Sequence, residues 1–162
     1  MARSIARADT VAREQLLEFV RPRHRGLLAT TRRDGRPQMS PLSIGVDGAG
    51  RVVTATYPER AKTRNARRDS RVSVLVLSDD WDGPWVQVDG TAEVLDAAGP
   101  DRHPDPVALD AFVDYFRCIA GEHPDWAEYR GAMVAQGKSL LRVTIERWSP
   151  IATGGFPARL AG

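Results

Sequence analysis

Cysteine is nearly absent. Of 162 residues only Cys118 carries a thiol, so no disulfide forms within the chain. It sits in the apolar helical stretch DAFVDYFRCIAG with no histidine base beside it, and reads as structural. Histidine is scarce as well. His24, His103 and His123 are scattered, and the last two flank a helix without carboxylate or cysteine partners at ligand spacing. They read as surface residues, and no metal site is expected. Gly-x-Ser-x-Gly, a Walker loop and GxGxxG are all missing, which sets aside that hydrolase type and those two modes of nucleotide binding. No apolar run approaches the roughly 20 residues of a membrane span. MARSIARADTVARE lacks the apolar block of a secretory signal, so a cytoplasmic location with no membrane attachment is expected.

The charge is distributed unevenly. Net charge is only +2, yet Tyr57–Leu77 (YPERAKTRNARRDSRVSVLVL) carries Arg60, Lys62, Arg64, Arg67, Arg68 and Arg71 against Glu59 and Asp69. A basic tract this confined, without aromatics interleaved for stacking, does not suit nucleic acid; a small anion fits better. Either the tract is a solvated helix face, or it holds an anion such as phosphate directly before a buried strand. Thr63 and Asn65, beside Lys62, add hydroxyl and amide groups of the kind that fix a phosphate oxygen.

The rest of the chain is mainly β with α additions, and one domain over 1–162 is expected. Thr10 caps a helix over about 10–21, ended by Pro22. Strands follow at Gly26–Thr31, Pro37–Val46 and Arg51–Tyr57, joined by turns at Asp34-Gly35 and Asp47–Gly50 as a three-stranded meander. Further strands are Val72–Leu77, Trp85–Leu95 with a bulge at Gly90, and Leu140–Arg147. A helical insertion spans about 105–136, opened by Asp105-Pro106 and interrupted at Gly121. Six strands with few helices predict a small closed antiparallel barrel.

Three stretches carry a family resemblance: ATTRRDGRPQ (Ala29–Gln38), RAKTRNARRDSR (Arg60–Arg71) and IAGEHPDWAEYRGAM (Ile119–Met133). The chain, from about Leu16 to Ile151, resembles the pyridoxamine 5'-phosphate oxidase-like, FMN-binding split-barrel superfamily, and within it the branch that uses the deazaflavin coenzyme F420. Ser70 stands where that branch often has proline.

The resemblance implies a six-stranded split barrel and a homodimer with two cofactor sites at its interface. It implies a phosphate on Arg60, Lys62 and Thr63, with Arg64 and Asn65 nearby and Thr54 and Thr56 contributed by the preceding strand. Gln38, Met39, Ser40 and Pro41 would run beside the ring. Gln38 and Ser40 share a strand face by period two, whether that face meets a ligand or only solvent. Trp81 and Trp85 bracket the loop WDGPW, either anchoring it or forming a wall against the cofactor of the partner subunit.

No side chain stands out as an acid or base, which suits a cofactor that brings its own reactivity. The resemblance implies an oxidoreductase in which reduced F420 gives hydride to an unsaturated organic acceptor, tetrapyrroles such as biliverdin being one class. FMN remains the alternative cofactor, and a non-catalytic F420 carrier the alternative role. F420 differs from FMN by a lactyl and oligoglutamate tail, which favours further cations.

Overall fold

The computed structural model describes residues 4–161. Strand β1 (Arg7–Asp9) leads into helix α1 (Arg13–Val20), whose buried Leu16, Leu17 and Val20 form one apolar side. Thr10 does not cap this helix. Ala12 takes the extended cap position, and the Gln15 side chain accepts its N–H at 3.1 Å. Next come β2 (Arg25–Thr31), β3 (Pro37–Ser43), β4 (Gly45–Val46) and β5 (Val52–Thr56), then helix α2 (Ala61–Arg68). Strands β6 (Arg71–Leu77) and β7 (Val86–Asp96) precede helices α3 (Pro106–Ala120) and α4 (Trp126–Ala135). Strand β8 (Ser139–Trp148) and the short β9 (Ile151–Thr153) follow.

One antiparallel sheet runs in the order β3-β2-β6-β7-β8-β5-β4 and curls into a half-barrel, while β1 pairs separately with β9. The main sheet therefore has seven strands where six were expected. The reason lies at Ile44. The predicted strand Pro37–Val46 breaks there into β3 and β4, which end up at opposite edges of the sheet. His24 holds the corner from both sides: its carbonyl accepts the Ile44 N–H at 3.0 Å, and its Nδ1 donates to the Ile44 carbonyl at 2.9 Å. The expected meander is corrected too, because β5 does not join β3. It pairs with β8, Val52 opposite Val143, and with β4. Across the gap between β3 and β5, Thr54 Oγ1 donates to the Ser43 carbonyl at 2.7 Å.

Two apolar cores result. Leu16, Val20, Leu28, Ile44, Val74, Val76, Val86 and Val88 fill the barrel. A second core, centred on the fully buried Phe112, packs α3 and α4 onto β5 and β8. Asp105 caps α3, accepting from Val107 N–H and Ala108 N–H at 2.9 and 3.1 Å, with Pro106 in the first helical turn. At Gly90 the register against β8 slips by one residue, and a Cβ there would stand 2.0 Å from the Thr144 carbonyl oxygen. Gly45 is equally constrained. A Cβ on it would lie 2.8 Å from that of Cys118, so α3 closes onto β4 only over a glycine.

Candidate cofactor site

Half of helix α2 is charged, and three of its four uncharged residues point inward. Thr63, Asn65 and Ala66 are buried while its arginines face out. Thr63 Oγ1 donates to the Tyr57 carbonyl at 2.7 Å and lies 3.1 Å from Thr56 Oγ1. Asn65 Nδ2 donates to Thr30 Oγ1 at 3.1 Å, and Arg68 donates to Asn65 Oδ1 and the Thr31 carbonyl at 2.9 and 2.6 Å. These bonds tie the helix to β2 on one side and to the end of β5 on the other. Thr54, Thr56, Thr63 and Asn65 thus all hydrogen-bond to protein partners, which fixes the start of α2 against the barrel.

The six cations of the tract divide in two. Arg67 pairs with Asp96 at 2.6 Å, Arg68 is held as above, and Arg71 pairs with Asp69 at 2.8 Å. The first-turn cations are different. The charged ends of Lys62 and Arg64 have no hydrogen-bond or ion-pair partner among the described residues, and Arg60 meets only the Tyr57 ring, at 6.0 Å. No side chain caps this end of α2. Burial, and then the neighbouring Arg60, hold the Lys62 ammonium below its ordinary pKa. Three cations crowd an uncapped helix start with no counter-ion, and an anion placed there relieves both the repulsion and the helix dipole. A phosphate fits this donor set.

Beside it runs the edge strand β3. Gln38 and Ser40 are half-buried on the inward side: Gln38 Nε2 donates to Ser40 Oγ at 3.0 Å, and Thr30 Oγ1 donates to Gln38 Oε1 at 3.3 Å. The expected common face is therefore present. Thr30, buried between Gln38 and Asn65, links the strand to the helix, a role its sequence position does not advertise.

Met39, Pro41, Trp81 and Trp85 lie elsewhere. Met39 and Pro41 stand opposite Ala29 and Leu27, on the outer face of the sheet, with Met39 61% exposed. That face continues through Leu75, opposite Leu27, into a cleft of about 770 Å³ lined by Leu75, Leu77, Trp81, Trp85 and Gln87. Trp81 is 85% exposed. Within one chain the thirteen expected residues therefore occupy opposite sides of the sheet.

The other reactive side chains are engaged in packing. Cys118 donates to the Val46 carbonyl at 2.9 Å, and burial together with Asp114 and Asp47 pushes its thiol pKa up, as suits a structural cysteine. His103 is exposed, but His123 is not the surface residue expected. Its ring is half-buried against Phe116, Trp126 and Tyr129 at 5.2 to 5.7 Å, and Nδ1 accepts the Asp125 N–H.

Known structures share this architecture. The chain is similar to the conserved hypothetical protein Rv2991 of Mycobacterium tuberculosis, with 27% identity over 90% of this chain and 88% of that one, at a TM-score of 0.68. An F420 reductase matches in fold at 22% identity over 82% and 94% of the two chains, TM-score 0.58. A FAD-binding protein of Mesorhizobium loti does so at 20% over 93% and 100%, TM-score 0.63. The family model for pyridoxamine 5'-phosphate oxidase matches residues 12–152, nearly the whole barrel and both helices of the insertion. A match over that span shows the family: the chain belongs to the pyridoxamine 5'-phosphate oxidase family.

Proposed function

We propose that the protein is an F420-dependent oxidoreductase that works as a homodimer. The observation that carries this reading is the group Arg60, Lys62 and Arg64, three cations without carboxylate partners at the uncapped start of α2, next to Gln38 and Ser40. These cations bind the coenzyme phosphate, and the β3 edge orients the ring. The bound deazaflavin supplies hydride chemistry. The chain's own task is to bind, orient and exclude water.

Membership of a family named for an oxidase supports an oxidoreductase, and the three motifs shared with the F420 branch favour the deazaflavin. The acceptor is an unsaturated organic molecule, with tetrapyrroles such as biliverdin as the first class to screen. The two faces support homodimerisation. Met39, Pro41, Trp81 and Trp85 reach the ligand bound at α2 only if they come from a second copy, whose apolar outer face also needs cover. A flavin is the second reading, favoured by the fold shared with a FAD-binding protein.

Titrating the cofactor-free protein with F420 and with FMN, following tryptophan fluorescence, tests the proposal. Micromolar or tighter F420 binding with much weaker FMN binding supports it. The reverse order favours the flavin, and binding of F420 without turnover of any acceptor favours a carrier. Failure to bind either would reduce the α2 cations to a solvated face.

A further inference from the structure

The cationic tract does not end at Arg60. The Tyr57 ring lies 6.0 Å from the Arg60 guanidinium and 5.0 Å from the Lys138 ammonium, so one aromatic ring joins the two charges. Lys138, one of only two lysines in the chain, then borders a cleft of about 610 Å³ whose walls include Pro58, Gly99, Arg102 and Gly137. Pro58 connects this cleft directly to the turn that starts α2.

Arg102 is unusual. It has φ +63°, and it is the one non-glycine residue with positive φ among the described residues. Its N–H donates to the Gly99 carbonyl at 2.9 Å, and the Gly99 N–H donates to the His103 carbonyl at 3.0 Å, closing a tight turn around it. Such a backbone is sparsely populated and persists where its surroundings hold it, often at ligand clamps. The exposed Arg102 side chain has no partner among the described residues.

The nearby carboxylates are already engaged. Asp96 accepts from Arg67 at 2.6 Å and from Ser139 Oγ. Asp101 accepts the His103 N–H at 3.1 Å and faces the His103 ring at 3.6 Å. Arg102 and Lys138 therefore pair with no carboxylate among the described residues at this concave surface, and the Tyr57 ring joins Lys138 to Arg60.

We propose that this cleft binds the anionic groups that the coenzyme carries beyond its first phosphate, with Arg102 and Lys138 as the binding charges. The inference rests on the reading that Arg60, Lys62 and Arg64 hold that phosphate. Two ligands offer the required charge: the oligoglutamate tail of F420 and the diphosphate of FAD. A ligand ending at one phosphate offers none.

The test is a set of affinities, not an activity. F420 with its oligoglutamate tail, the same deazaflavin phosphate lacking glutamates, FMN and FAD are each titrated into wild type, Lys62→Ala, and the double variant Arg102→Gly/Lys138→Gln. Glycine suits the left-handed position, so the double variant keeps its fold, checked by its melting temperature. Expected is a loss of roughly three- to tenfold in affinity for tailed F420 in the double variant, as for two exposed ion pairs. The tail-less ligand is unaffected, and the loss shrinks at high salt. The same selective loss for FAD in place of F420 would assign the cleft to the diphosphate. Equal binding of all four ligands by wild type, or a double variant indistinguishable from it, overturns the inference and leaves the phosphate site standing. If Lys62→Ala weakens no ligand, the phosphate reading fails and this one fails with it.

Discussion

Asn65 reaches from helix α2 into the barrel and donates to the buried Thr30 hydroxyl at 3.1 Å, while Arg68 donates back to the Asn65 carbonyl oxygen. One amide thus fastens the basic helix to the strand that carries Gln38 as its neighbour. Asn65→Ala strands a buried hydroxyl and frees an arginine. It should cost about 1 to 3 kcal/mol in stability and weaken cofactor binding through the helix it anchors. Thermal unfolding beside a cofactor titration checks it; an unchanged melting temperature would contradict the anchoring role.

The free cations and the paired ones should behave differently. Lys62→Ala is expected to weaken cofactor binding by about 1.5 to 3 kcal/mol, the range for a charged hydrogen bond. Arg71→Ala, whose guanidinium is taken by Asp69, should leave affinity unchanged. Because burial and Arg60 depress the Lys62 pKa, affinity should also fall as pH rises through that lowered value, since a bound anion favours the protonated amine. Equal effects of the two substitutions would remove the division between free and engaged charge.

If a second copy covers the outer face, a charge placed there should separate the two chains. Leu75→Asp lies in the apolar cleft beside Trp81 and Trp85, away from both cores. Sedimentation of wild type is expected to report a dimer, and of the variant a monomer with weakened cofactor binding. Wild-type protein that sediments as a monomer at micromolar concentration rejects the homodimer.

Tyr129 provides an alkaline test of the helical insertion. Burial, and then Tyr115, raise its pKa to about 12, and its hydroxyl donates to the Phe112 carbonyl at 3.0 Å. A phenol whose folded pKa lies above its unfolded value near 10 favours the fold fully below pH 10. That contribution is lost as pH rises through about 12. Spectroscopic titration should show Tyr129 ionising late, beside Tyr115, whose pKa burial also raises; the step near pH 12 is lost in Tyr129→Phe, which costs about 1 kcal/mol at neutral pH. Ordinary titration of all three tyrosines would refute the assignment.

Gly90→Ala sets a Cβ 2.0 Å from the Thr144 carbonyl oxygen, a backbone atom that no side-chain rotation can move away. A loss of about 1 to 3 kcal/mol, as for other overpacking changes, should appear in denaturant unfolding. Unaltered stability would mean that the bulge can shift its register.

Local features were legible in the sequence where local chemistry decides them. Asp105-Pro106 marks a helix start, Gly90 a bulge, and the apolar run Val72–Leu77 a strand, because each depends on neighbours within a few residues. Pairing between β5 and β8 joins Val52 to Val143 and leaves no local trace. Nor does the break at Ile44, since apolar residues continue through it and only the distant His24 reveals the corner. At the site, the excess of positive charge was plain, but the inward turn of Thr63 and Asn65 was not. A signal existed: along α2 the uncharged Thr63, Asn65 and Ala66 set one side apart from the arginines. Tyr57, joining Arg60 to Lys138, depends on two stretches of chain meeting and could not be read from either.

The gap between β3 and β5 is crossed by the Thr54 hydroxyl and by no ladder of paired backbone. The chain itself joins the two lips at Ile44, where β3 runs into β4, and helix α2 bonds to both sides through Thr30, Thr56 and Tyr57, so this seam is closed by a corner and a helix in place of a ladder. Side chains on that corner and that helix can therefore be exchanged without unpairing any strand of the sheet.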